Sequence, residues 1–188
     1  MGTMRIVVLA LGLMLAAAPA HAEDTLWPLL QKGGQILMLR HATAPGTYDP
    51  PGFQVDDCST QRNLDEGGRA EARRLGEALK ARGVPVGRVL SSRWCRCLET
   101  ARLAFGRVDP WPALDSLRRG DEDERVKDVR RFVSRPFTGP NVVLVTHQFN
   151  IREVTGLPSI ASGESVVLTP LGNGDFRVAG RLPAPAAR

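Results

Sequence analysis

Apolar residues in this chain fall in short blocks, separated by polar, glycine-rich or proline-rich stretches. Gln35 to Leu39 is a nearly continuous apolar run directly after Gly33-Gly34, the pattern of a strand buried on both faces. Arg88 to Ser91 and Asn141 to Thr146, with its Val-Val-Leu-Val, read as two more strands. Helical spacing dominates between them. From Asp65 to Arg82, Ala70, Leu75, Ala78 and Leu79 form an inward stripe, while arginines and glutamates face out. Asp65 is placed to cap that helix and Gly83 to end it. Further helices are predicted over Asp24 to Lys32, Arg93 to Phe105, Asp121 to Ser134 and Phe149 to Thr155. The third of these runs from acidic to basic, an order that complements a helix dipole. Val108 to Leu114 contains two prolines and reads as no more than an edge strand. Ser165 to Thr169 and Asp175 to Gly180 alternate as a hairpin around Gly172-Asn173-Gly174. Ala42 to Gln61 is a long polar loop, a length that usually accompanies function, and Pro183 to Arg188 is a tail. Strands alternating with helices predict an α/β protein, a three-layer α/β/α sandwich around a mostly parallel sheet. There is no repeat or linker to divide it.

The first 22 residues change the picture. Arg5 precedes an apolar run, Ile6 to Ala18, that is too short for a comfortable membrane span. Ala20-His21-Ala22 then offers small residues where a signal peptidase cuts. The expected organisation is a signal peptide over 1–22 and one domain over 23–188, exported to the periplasm or medium without stable membrane insertion. The competing reading is an uncleaved anchor. Cleavage leaves 24 basic against 20 acidic residues, and most of the cations are arginines. That balance suits an anionic substrate. Without a lysine-rich arm or aromatic-basic interleaving, nucleic acid is not an expected partner. Export permits a disulfide, and three cysteines leave one thiol over. Cys58 is expected to pair with Cys95 or Cys97, and Cys95 is favoured. Cys95 and Cys97 lie two apart on a helix and point to different faces. Their spacing also fails zinc-ligand patterns, so no metal or other cofactor is expected.

Histidine is the informative residue. There are three, and His21 leaves with the leader, so imidazole chemistry falls to His41 and His147. In α/β sheets, ligands bind beyond the carboxyl ends of the strands. Arg40-His41-Ala42, Ser91-Ser92-Arg93-Trp94-Cys95-Arg96 and Thr146-His147-Gln148 each follow a predicted strand. All the mature histidine and several arginines therefore share one topological position.

These segments resemble the motifs of the histidine phosphatase superfamily, the phosphoglycerate-mutase-like fold. Its Arg-His-Gly corresponds to Arg40-His41-Ala42. Its Ser-x-x-x-Arg-x-x-x-Thr-Ala corresponds to Ser92 through Arg96 to Thr100-Ala101. Its leucine-acid-glycine helix start corresponds to Asn63-Leu64-Asp65-Glu66-Gly67, and its second histidine to His147 after an apolar strand. The order matches from about Gln35 to Gly180. The resemblance implies a phosphoric monoester hydrolase in which His41 becomes phosphorylated while Arg40, Arg96 and His147 bind the phosphoryl group. Arg62, just before the third motif, is read as a further cation at the rim. Ala42 replaces a glycine, which is tolerable unless that backbone lies at positive φ. Gln148 stands where some branches keep an acidic proton donor, so Asp115 is assigned that role, with Asp56, Asp57 and Glu124 next in line. The chain is too short for a large helical cap, and export disfavours a mutase of glycolytic intermediates. The substrate is expected to be a small phosphorylated molecule or an envelope component. A noncatalytic phosphate-binding module is the alternative, although binding alone needs no nucleophile.

Overall fold

The computed structural model describes residues 21–117 and 122–186. Most of the expected leader, the start of the helix predicted from Asp121 and the last two residues of the tail lie outside them. Six strands form one sheet: β1 (Ile36–Arg40), β2 (Val86–Ser91), β3 (Asp109–Pro110), β4 (Asn141–Thr146), β5 (Ser165–Gly172) and β6 (Asp175–Leu182). Their order is β3-β2-β4-β1-β5-β6. β3, β2, β4 and β1 run parallel, and the β5–β6 hairpin adds antiparallel to β1. The helices are α1 (His21–Lys32), α2 (Glu66–Ala81), α3 (Cys95–Phe105), α4 (Glu122–Val133) and α5 (Gln148–Thr155). Among the described residues, no helix is long and apolar enough to cross a membrane.

Strand alternation sorts the core into two layers. Leu37, Leu39, Val143 and Val145 face α1, α2 and α3, meeting Leu26, Leu30, Leu75, Leu79 and Ala101. Ile36, Met38, Val142 and Leu144 face α4 and α5, meeting Val129, Val133, Ile151 and Val154. This is the expected three-layer sandwich. Asn141 ties its base together: its amide donates to Leu30 O at 2.7 Å and to Pro85 O at 2.9 Å, and its Oδ1 accepts from Gln35 N at 3.1 Å.

Helix α2 is capped as its sequence predicts, with Asp65 Oδ1 accepting from Gly68 N at 2.7 Å. Its inward stripe differs in detail. Ala72 is buried beside Leu75 and Leu79, whereas Ala70 and Ala78 are half-buried. Glu71, expected outside, is buried and accepts from Thr43 N (3.1 Å) and Thr43 Oγ1 (2.7 Å). It faces in because it has two donors there, which offset the cost of desolvating its charge. Gly68 makes the approach possible, since a Cβ there would stand 1.9 Å from Thr43 O. The proline-rich segment is a two-residue edge strand followed by a 3-10 turn at Pro112–Leu114.

The long loop is not loose. It holds a 3-10 turn at Cys58–Thr60, and a disulfide joins Cys58 to Cys95 at the start of α3, with Cα atoms 5.6 Å apart. Cys97 is the free, buried thiol. Phe53 packs on Trp94, and the Gln61 side chain accepts from Cys95 N at 3.0 Å while donating to Gln54 O and Val55 O.

Candidate active site

Parallel register brings three strand ends together. β4 lies between β1 and β2, with Arg40 opposite Thr146 and Ser91 opposite Val145. The pairing continues one residue further, through His41 N to Thr146 O (3.0 Å) and Ser92 N to Val145 O (2.9 Å). His41, Ser92 and His147 therefore emerge side by side. They open on a pocket of about 360 Å³ whose lining includes Arg40, His41, Arg62, Arg96 and His147. Five of the six residues singled out from sequence meet there. A groove of about 400 Å³ between α2 and α3 touches neither histidine.

His41 is buried. Its Nδ1 lies 2.8 Å from Ala42 O, and a carbonyl only accepts, so Nδ1 carries the proton. Nε2 is left with a free lone pair. Burial, assisted by Arg96, Arg62 and Arg40, pushes the His41 pKa down to about 3, although the Ala42 carbonyl opposes the shift. Ala42 is buried and donates to Thr100 Oγ1 at 3.1 Å. Among the described non-glycine residues only Asn173 has positive φ, so alanine replaces the family glycine here without strain.

His147 stands edge-on to His41, with ring centroids 5.4 Å apart. Its Nδ1 faces Arg96 Nη2 at 3.5 Å, and a guanidinium only donates, so Nδ1 accepts. Nε2 then donates to Ser92 Oγ at 2.9 Å, and Ser92 Oγ donates to Asp115 Oδ1 at 3.3 Å. Burial first, then the charges of His41 and the three arginines, hold the His147 pKa well below its usual value.

Asp115, the proton donor assigned from sequence, is not among the residues that line the pocket, although its neighbour Ser116 is. Asp115 is 2% exposed and gripped by Arg93, through the backbone N (2.8 Å), Nε (2.8 Å) and Nη2 (2.6 Å). A carboxylate so held supports His147 through Ser92. Asp56, Asp57 and Glu124 do not line the pocket either.

The carboxylate that does line it is Asp49, which sequence reasoning passed over. Asp49 accepts from Arg96 Nη1 (2.8 Å), Arg96 Nη2 (3.3 Å), Trp94 Nε1 (3.0 Å) and Arg62 N (3.0 Å). Burial raises its pKa, but the donors of Arg96, Arg62 and Trp94 outweigh this and leave it below the usual carboxylate range. Gln148, which stands where some branches keep an acid, has a different role here. Its Oε1 accepts from Arg40 Nη1 at 2.9 Å, and Ile160 O takes the same nitrogen at 2.6 Å, so Gln148 orients Arg40.

Arg40, Arg62 and Arg96 form a cationic cluster. Their Nε atoms are all buried without a hydrogen-bond partner. Burial is the largest cause lowering the pKa of both Arg40 and Arg62, and neighbouring guanidinium charge adds to it. Three cations with unsatisfied donors around one pocket fit a multiply charged oxyanion.

The family model of the histidine phosphatase superfamily, branch 1, matches residues 36–128. Among solved structures, the chain is similar to a candidate phosphohistidine phosphatase SixA from Agrobacterium tumefaciens. That match has 22% identity and a TM-score of 0.57, and it covers 80% of this chain and 98% of the other. The protein histidine phosphatase SixA in complex with tungstate aligns at 17% identity, 79% and 96% coverage and a TM-score of 0.58. A mycobacterial glucosyl-3-phosphoglycerate phosphatase aligns at 19% identity, 77% and 96% coverage and a TM-score of 0.58. At these identities the structural likeness speaks for the fold. No curated protein matches the sequence.

Proposed function

Because the chain belongs to the histidine phosphatase superfamily, we propose that it hydrolyses phosphate monoesters through a phosphohistidine on His41, with export placing it outside the cytoplasm. The observation that carries this reading is the state of His41. It is a neutral imidazole with Nδ1–H tied to Ala42 O and Nε2 free, in a pocket shared with three arginines.

The lone pair of Nε2 attacks phosphorus as the ester P–O bond breaks, and the alcohol leaves with a proton. Water then attacks the phosphohistidine, releasing inorganic phosphate and restoring the imidazole. The covalent intermediate splits one displacement into two easier ones. Phosphoryl transfer depends mainly on positioning and charge, which Arg40, Arg62 and Arg96 supply. His147 lines the same pocket and positions Arg96 by accepting from its Nη2 at Nδ1.

The test is chemical trapping. Brief turnover of a labelled aryl phosphate should leave acid-labile, alkali-stable phosphate on His41. His41→Asn, close in shape but unable to attack, should lose both label and turnover. A His41→Asn protein that retains near wild-type turnover overturns the mechanism.

A further inference from the structure

We propose that Asp49 is the proton donor of this site, resting on the phosphatase reading above: it receives a proton when the phosphoryl group binds and passes it to the leaving oxygen. Asp49 is the one carboxylate among the described residues lining the pocket, on the loop between β1 and α2. Its side chain is only 10% exposed.

The geometry of Arg96 forces the step. Each of its terminal nitrogens already has two acceptors. Nη1 serves Asp49 Oδ1 and the Arg62 carbonyl, and Nη2 serves Asp49 Oδ2 and His147 Nδ1. A phosphoryl group recruited by the Arg96 fork therefore arrives beside the Asp49 carboxylate. Two anions this close in a partly dry pocket do not both stay ionised, and a shared proton relieves the repulsion. The other ionisable groups lining the pocket are Arg96, Arg62, Arg40, His41, His147 and Tyr48. Both histidines are neutral, so neither is the source.

The proton balance closes with the substrate itself. The monoanion of a phosphate ester, dominant below its second pKa of about 6, brings one proton into the site. That proton passes to an Asp49 oxygen as Arg96 exchanges partners. His41 Nε2 bonds to phosphorus, the P–O bond breaks, and Asp49–H protonates the departing oxygen. In the second half the Asp49 carboxylate takes a proton from the attacking water and returns it to phosphate. In the resting protein the same carboxylate neutralises part of the arginine cluster, which accounts for its four donors.

The experiment compares Asp49→Asn with the wild type on an alkyl and an aryl phosphate, with inorganic phosphate as competitive inhibitor. Loss of a general acid should slow the alkyl ester by about 10²–10⁴. The aryl ester, whose leaving group departs unaided, should slow by about tenfold or less, from weaker hold on Arg96. Inorganic phosphate should inhibit Asp49→Asn more strongly than wild type at pH 8, where the like-charge contact is relieved. The difference should shrink at pH 5. Asp49→Glu, which keeps a proton donor, should recover part of the alkyl rate in a protein of unchanged melting temperature. Equal slowing of both esters, with weaker phosphate inhibition, overturns the proposal and leaves Asp49 as a brace for Arg96. Asp115→Asn is the comparison and should slow both esters by one factor; a selective alkyl loss there returns the proton donor to Asp115. If wild type turns over neither ester and His41 is never labelled, the phosphatase reading fails with it. Normal labelling with unselective slowing counts against Asp49 alone.

Discussion

Burial removes the water that would stabilise an imidazolium at His41, and three guanidinium groups oppose the same charge. The residue stays neutral down to about pH 3, far below the usual histidine range. Turnover of an aryl phosphate should therefore show no acid limb near pH 6.5. A profile of kcat/KM from pH 4 to 8 checks this, and a drop centred near 6.5 would mean that His41 protonates like a solvated imidazole. The same shift has a sign for stability. The unfolded chain takes up protons on both histidines below about 6.5, and the folded chain refuses them until much lower. Stability contributed by keeping these rings neutral thus declines as pH falls through that window. The identities of His41, Arg40, Arg96 and His147 were legible because each directly follows a strand or opens a helix, so its position comes from local pattern. Asp49 and Asp115 were not. Asp49 meets Arg96 47 positions away, and Asp115 meets Arg93 22 positions away, across loops whose path no periodicity encodes.

Among the elements, the segment between β1 and α2 decides how well the pocket is formed. It carries Asp49 and Arg62, and its composition predicts only a polar loop. Three attachments give it a single path: the Cys58–Cys95 disulfide, Phe53 against Trp94, and the Gln61 side chain shared between the loop and α3. Pairing of Cys58 with Cys95 follows the expected preference. The reason is visible on α3, where Cys95 opens the helix toward the loop and Cys97 turns into the core beside His147. Cys58→Ser should lower stability by roughly 2–4 kcal/mol, the usual scale for a loop-closing bond. It should also weaken phosphate binding, because Arg62 sits four residues further along. Denaturant unfolding with phosphate inhibition checks both effects. Mass mapping of the oxidised protein should find one free thiol, Cys97, and three free thiols would remove the bond. The strands and helices were easier to read because burial on both sheet faces makes each strand an apolar run. Glu71 shows the limit, since its burial depends on Thr43 donors that helical periodicity does not register.

For the whole molecule, the sheet order places β4 between the two strands that carry the other site segments, and α1 closes the far end of the same core. The described part of helix α1 runs from His21 to Lys32, and the expected cut after Ala22 leaves Glu23 to Lys32 of it in place. The groups that dock it lie beyond the cut. Leu26 and Leu30 are 2% and 0% exposed, Leu30 O accepts from Asn141, and Arg82 lies 4.2 Å over the Trp27 ring. A leader ending at Ala22 is thus compatible with an intact fold, and we propose that the exported protein begins at Glu23. A chain started at Glu23 should melt within a few degrees of the full chain and keep its phosphatase activity. A chain started at Gly33 loses two buried leucines, each contributing about 1.5–3 kcal/mol, and leaves Asn141 without its Leu30 acceptor. It should unfold at much lower denaturant. Thermal melts of both truncations, with N-terminal sequencing of protein recovered from the native envelope, decide the matter. An envelope protein that starts at Met1 would show an uncleaved anchor in place of a removable leader, and a Glu23 chain that fails to fold would show that part of the first 22 residues belongs to the domain.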